Sequence, residues 1–303
     1  TTGEASAFVR VEEYKRPTFS VEFLPIKEEI AFGDSTTIKG KVQTFSGASL
    51  QNGDLSWRII RRPLWPRIGY NYQAEQVAAG TSVLDKEGAF SVNFIPEKSD
   101  KSFSGNIYER FEISAMVTDS KGESQESQYI FSVGDASIIL SSDLPGQINK
   151  DSAKVTITIQ TVNGEKIKAN GTYRIVTLED TGKDRYNQSI YKEIKTVVNG
   201  TFTSGQVISQ NVFIQLASGR YRLLTEAKDS KGRLAKYQED FILYSSRDKQ
   251  PPVYTHTWLL ADGVTPLLPG EEAEIIFGTS DKDAYVLYEL YNNGRYIHQS
   301  IVK

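Results

Sequence analysis

The feature that most constrains this chain is that it repeats itself. Asp119-Ser120-Lys121-Gly122 recurs as Asp229-Ser230-Lys231-Gly232, 110 residues later. At the same spacing Phe111 matches Tyr221, Ile113 matches Leu223, Phe131 matches Phe241 and Val133 matches Leu243, with no gap. Apolar positions kept in step on both sides of an identical turn mark a duplicated structural unit. Further matches fall at nearby offsets. Trp57-Arg58-Ile59 resembles Tyr173-Arg174-Ile175, and Gly88-Ala89-Phe90 resembles Gly200-Thr201-Phe202. Offsets that drift while the matches persist are those of loops changing length over a fixed scaffold. A third copy opens near Gln250, where the residues from Gly270 to Ile276 read like those from Gly33 to Ile38 and from Lys150 to Val155.

Each copy is written in strands. Residues 153–161 place Val155, Ile157 and Ile159 on one side and threonines on the other, and residues 36–44 follow the same rule. Alternation with period two is the pattern of a strand with one buried face. Asn52-Gly53, Asn199-Gly200, Asp229 to Gly232 and Asn292-Asn293-Gly294 read as turns between strands. About seven strands per complete copy, roughly 8–20 residues apart, predict an all-β chain of tandem seven-stranded sandwiches of the immunoglobulin or fibronectin type III kind. Trp57 and Tyr173 fall where such a sandwich carries a core aromatic.

Composition narrows the function classes. The 303 residues are 39% hydrophobic and 24% charged, which suits globular domains rather than disordered segments. A net charge of −3 lacks the basic excess of a nucleic-acid binder. No stretch of 18 apolar residues is present, so direct membrane insertion is not expected. There is no cysteine, which removes disulfides, thiolate metal sites, cysteine nucleophiles and an internal thioester from these residues.

No residue constellation calls for catalysis, a cofactor or a metal. His256 and His298 are the only histidines and read as packing or surface residues, with His256 in a strand beside Trp258. Adjacent carboxylates such as Glu12-Glu13, Glu28-Glu29 and Glu271-Glu272 point to opposite faces of a strand and cannot act on one substrate. Asp281-Lys282-Asp283 lacks the spacing of a calcium loop. Three glycosylation sequons begin at Asn170, Asn187 and Asn199; the Asn170-Gly171 and Asn199-Gly200 pairs are better explained as hairpin turns. The most unusual segment runs from Arg61 to Tyr72. It carries Arg61, Arg62, Trp65, Arg67, Tyr70 and Tyr72 between strands, together with two prolines that break a ladder. Arginine, tryptophan and tyrosine dominate interface hot spots. These six residues are therefore candidates for packing between domains or for meeting an external partner.

The segment from Val11 to Phe23 resembles a junction between macroglobulin domains of the alpha-2-macroglobulin family, in its bacterial, large multi-domain type. The motif Glu-Tyr-Lys-x-Pro-x-Phe-x-Val falls on Glu13, Tyr14, Lys15, Pro17, Phe19 and Val21. Residues 251–263, with 269–280 and 284–295 after them, and the loop from Arg61 onward followed by Thr81 to Phe94, are similar to the same bacterial pattern. The resemblance implies residues 1–16 as the last strand of a preceding domain, macroglobulin-like sandwiches over 17–134 and 135–247, and the opening of a third over 248–303. It further implies a non-catalytic framework segment whose partners are other domains of the same parent chain and, through the full-length protein, proteases. The compartment it implies is extracytoplasmic, the periplasm or surface of a bacterium. Other readings of the same repeats are a cell-surface adhesin or carbohydrate-binding tandem, with the loop at 61–72 as the binding site, and a stalk of a larger enzyme.

Overall fold

The computed structural model describes residues 16–63, 74–99, 108–261, 270 and 275–302. The chain is all-β, and two immunoglobulin-like sandwiches follow one another. It divides into two compact units, residues 1–138 with 161–165, and residues 139–160 with 166–303.

The first unit is built from β1 (Phe19–Phe23), β2 (Thr36–Thr44), β3 (Asp54–Pro63), β4 (Glu75–Val83), β5 (Ala89–Phe94), β6 (Tyr108–Thr118) and β7 (Ser124–Gly134). One sheet has the order β1-β2-β5 and the other β4-β3-β6-β7, which is the three-plus-four division of a fibronectin type III sandwich. Their inner faces meet in one apolar core. Phe19, Ile38, Val42 and Val92 come from the first sheet, and Leu55, Ile59, Ile113 and Phe131 from the second. Phe111 and Phe131 are opposite each other in the β6–β7 register, and their rings stack with centroids 5.6 Å apart. Directly opposed side chains share one face of a sheet, so a register pair of aromatics becomes a core pair.

In the second sandwich β8 (Ile138–Ser142), β9 (Gln147–Asn149), β10 (Val155–Thr161), β11 (Asn170–Lys183), β12 (Ser189–Thr203), β13 (Val207–Ile208), the single-turn α1 (Gln210–Phe213), β14 (Gly219–Lys228) and β15 (Leu234–Tyr244) rebuild the same plan. The sheets are β13-β10-β8 and β12-β11-β14-β15-β9. Val155, Ile157 and Ile159 are fully buried, as their alternation predicts. Tyr221 and Phe241 repeat the stacked pair of the first unit at 5.6 Å. The hydroxyl of Tyr221 donates to the carbonyl of Ala217 at 2.7 Å, so the buried phenol keeps a partner at the start of its strand, as the tyrosine corner of such sandwiches does. Strand β9 crosses over to pair in parallel with β15. In the first unit the same crossover survives as a single parallel bridge from Ala31 to Gly134. After β15 come two hairpins, β16 (Trp258–Ala261) with β17 (Ile275–Gly278), and β18 (Val286–Asn292) with β19 (Arg295–Val302). Asn293 and Gly294 join the latter pair with φ of 48° and 77°. Both central residues of that tight turn are left-handed, which suits the right-handed twist of the strands it joins.

The turns explain why the Asp-Ser-Lys-Gly motif is repeated. At Asp119 the Oδ1 atom accepts the backbone N–H groups of Lys121 and Glu123 at 2.8 and 2.9 Å. At Asp229 it accepts those of Lys231 and Arg233 at 3.0 and 2.9 Å. Gly122 and Gly232 then take φ of 83° and 81°, a conformation that other residues enter only at a cost. The carboxylate closes the turn, and the glycine lets the chain leave it in register with the next strand.

Three expectations are corrected. Asn170-Gly171 and Asn199-Gly200 are not turns; they lie within β11 and β12. Gly200 stands opposite Tyr173, and Gly171 opposite Phe202. A Cβ on Gly200 would come 2.4 Å from the Tyr173 ring, and one on Gly171 2.5 Å from the Phe202 ring. These glycines exist because an aromatic side chain lies across the neighbouring strand where a side chain would otherwise stand. The same arrangement occurs at Gly40 with Phe90, Gly80 with Trp57 and Gly134 with Tyr108. The second correction concerns Trp57. Tyr173 is buried, but Trp57 is only partly so; it packs against the core from the β3–β4 side and lies over Gly80. His256, expected within a strand, precedes β16.

Candidate functional site

Arg61 and Arg62 directly precede Pro63, the last residue of strand β3, and β4 returns at Glu75 opposite Arg61. The sheet ladder holds Arg61 against Phe111 and Arg62 against Arg110 on the other side. Trp65, Arg67, Tyr70 and Tyr72 of the proposed contact set lie outside the described residues.

The two arginines differ in kind. The Arg61 side chain is 13% exposed and is enclosed by acceptors. One terminal nitrogen donates to the carbonyl of Glu97 at 2.9 Å, the other to the carboxylate of Glu75, and Nε faces Oε2 of Glu109 at 3.8 Å. Glu109 is 4% exposed. Its Oε1 accepts the backbone N–H of Ser99 at 3.1 Å and the Ser99 hydroxyl, while Oε2 accepts no hydrogen bond. A buried carboxylate with one unbonded oxygen depends on the neighbouring guanidinium for its charge balance. Arg61 is thus occupied in holding the sheet end together. Arg62 is half exposed and makes one bond, Nε to Oε2 of Glu112 at 2.8 Å. Nearby, Tyr108 opens β6, and its phenol is pushed up to about 12 by burial and then by the charge of Asp135, so it stays neutral at ordinary pH.

Repeat comparison reveals a second surface that composition and motif reading missed. The β2–β3 turn from Thr44 to Ala48 and the turn from Thr161 to Glu165 after β10 are closed alike. Thr44 N–H donates to the Ala48 carbonyl, and Thr161 N–H to the Glu165 carbonyl, each at 2.8 Å; Gly47 and Gly164 have φ of 87° and 95°. The Phe45 N–H donates to the carbonyl of Thr18 at 3.1 Å, and the Val162 N–H to that of Ser137 at 3.0 Å. Thr18 and Ser137 directly precede β1 and β8, whose burial patterns are identical. Residues 161–165 belong to the first compact unit. There Val162 packs against the apolar core. Asn163 accepts the Ser132 N–H at 2.8 Å and returns a bond to the Ser132 carbonyl at 3.2 Å. Phe45, the counterpart of Val162, is 68% exposed. The signal was present in sequence as Thr44-Phe45-Ser46-Gly47 against Thr161-Val162-Asn163-Gly164, but its burial was not.

Among the described residues no group of three or more metal-ligating side chains is found. His256 meets both carboxylate oxygens of Asp281 at 2.9 Å, on the surface. His298 lies 3.4 Å from the Tyr288 hydroxyl. No helix among the described residues is long and apolar enough to cross a membrane.

The fold and these contacts define a chain of tandem immunoglobulin-like sandwiches. No known family pattern matches the sequence, and no curated protein does. Among solved structures, E. coli alpha-2-macroglobulin in its native conformation matches 96% of this chain at 13% identity with a TM-score of 0.37. Salmonella alpha-2-macroglobulin reacted with methylamine matches 96% at 14% identity with a TM-score of 0.36. A tetra-tandem repeat from the extending region of a large adhesion protein matches 75% at 13% identity, with a TM-score of 0.25, and 50% of that chain is covered. The chain spans 20% of the length of each of the two macroglobulins. Agreement this loose assigns no family.

Proposed function

We propose that this chain is a non-catalytic framework segment of an alpha-2-macroglobulin-like protein. Its sandwiches, over 17–134 and 135–247, and the opening of a third over 248–303, hold neighbouring domains of the parent chain in place. Residues 1–16 supply the last strand of the domain before them. The observation that carries the reading is where the junction motif falls. Pro17 stands two residues before the first strand of the first sandwich, and Phe19 and Val21 are the buried positions of that strand. A motif that starts a domain in the family thus coincides with the start of a domain core here. The buried ion pairs support the same reading, because Arg61 and Glu109 are spent on internal structure. In this reading the parent is an extracytoplasmic bacterial protein, and protease trapping resides in the whole chain.

The test uses the full-length gene product and trypsin. Trapped trypsin should keep its activity on a small peptide substrate and lose access to a large protein inhibitor. Trypsin that stays fully open to the inhibitor, while the protein is degraded around it, would refute trapping.

A further inference from the structure

The exposed Phe45 has a partly buried counterpart in Val162. Both turns have the same backbone closure, the same left-handed glycine and the same bond to the residue before the first strand of their repeat. Two turns built alike present their tips in the same direction relative to their own repeats. In the second repeat that tip carries Val162 and Asn163, seated on the first unit. The seat consists of an apolar core end and the backbone N–H and C=O of Ser132 in β7. In the first repeat the tip carries Phe45, with about two-thirds of its surface in water. A lone exposed aromatic needs no explanation by itself. This one stands at a position whose twin is partly buried, and it is the larger side chain.

We infer that the Thr44–Ala48 turn is a docking element for the end of another sandwich domain of this kind, on the N-terminal side of β1, which receives Phe45 as the first unit receives Val162. The inference rests on the framework reading. The partner it requires has a defined chemistry: an apolar sandwich end beside free backbone N–H and C=O groups on its last strand. Ser46 stands where Asn163 stands and has one hydroxyl, which meets Thr44 Oγ1 at 2.9 Å. It offers fewer polar contacts than the Asn163 amide, so Phe45 supplies more of the attachment here than Val162 does in its seat.

Hydroxyl-radical footprinting tests this on the 303-residue chain and on the full-length gene product. Phe45 should label strongly in the chain and several-fold less in the full-length protein, while Val162 labels equally in both. Equal labelling of Phe45 overturns the inference, as does a full-length product with no sandwich ahead of Thr1. Phe45→Ser should leave the unfolding temperature of the 303-residue chain unchanged and lower that of the full-length protein; no change in either also overturns it. Footprinting reads a domain contact rather than protease capture. A failure of the trypsin experiment and a failure of this one therefore remain distinct.

Discussion

Replacing Gly40 by alanine should destabilise the first sandwich, against the usual direction for that substitution. Gly40 lies in β2 with an ordinary backbone conformation, and alanine there would remove unfolded-state freedom, a gain of about 0.4–1 kcal/mol. The structure opposes it. The new Cβ would fall 2.1 Å from Cζ of Phe90, 2.5 Å from Cε1 and 2.8 Å from the backbone carbonyl of Glu22. Phe90 is buried and meets Phe23 edge-on at 5.5 Å, so its ring has no open space to enter. The Glu22 carbonyl belongs to the paired strand β1 and moves only with the ladder. Overpacking a dense core costs about 1–3 kcal/mol, and a 2.1 Å approach falls in the upper half of that range, so with the gain subtracted the net effect is a loss of about 1–2.5 kcal/mol. For a domain a little over 100 residues long, that lowers the unfolding temperature by roughly 3–10 °C. Scanning calorimetry of the intact chain reads this directly. Gly146→Ala is the control, because nothing lies within 4 Å of its added Cβ and its φ is ordinary. A Gly40→Ala chain that unfolds at or above the parent temperature would refute the account. The double variant with Phe90→Leu should recover part of the loss, since a smaller side chain at 90 vacates the space; strictly additive effects would show that the ring is not the cause.

Two further outcomes follow from the charged groups. Arg61→Ala should cost about 3–5 kcal/mol by leaving Glu109 buried without its guanidinium, whereas Arg62→Ala should cost about 0–1 kcal/mol because its pair with Glu112 is half in water; urea unfolding of both variants compares them, and equal losses would refute the distinction. Tyr108 should make the first sandwich sensitive to alkali. Its folded pKa of about 12 lies above the ordinary phenol value of 10.0, so its contribution is full below pH 10 and is lost as pH rises towards 12. Burial also raises Tyr173 and Tyr221 in the second sandwich. Unfolding of the Tyr108→Phe variant followed over that range should lose less stability than the parent, and parallel curves would count against the assignment.

How much was legible in the sequence depended on the range of the interaction. Strand β10 was readable because alternation is a property of consecutive residues, and Val155, Ile157 and Ile159 need only a core on one side. The Asp119 and Asp229 turns were readable because the carboxylate and the N–H groups it accepts lie within four residues of each other. The stacked aromatics repeated at 111/131 and 221/241 were visible as matched positions, since a hairpin holds their register. Other features depended on partners distant in sequence. Asn199-Gly200 has the composition of a turn, yet Tyr173 on the neighbouring strand makes Gly200 a strand residue. Trp57 has the size of a core residue, but its place beside β4 leaves it partly in water. In the sequence Arg61 reads as a candidate for an interdomain or partner contact, and only the fold brings Glu109 and Glu97 to it. Nothing in the string Thr-Phe-Ser-Gly marks Phe45 as exposed or Val162 as covered. Local periodicity and turn chemistry act through the covalent neighbourhood, which a sequence displays in full. Burial and charge pairing act through space, and only the tertiary structure decides which residues become neighbours there.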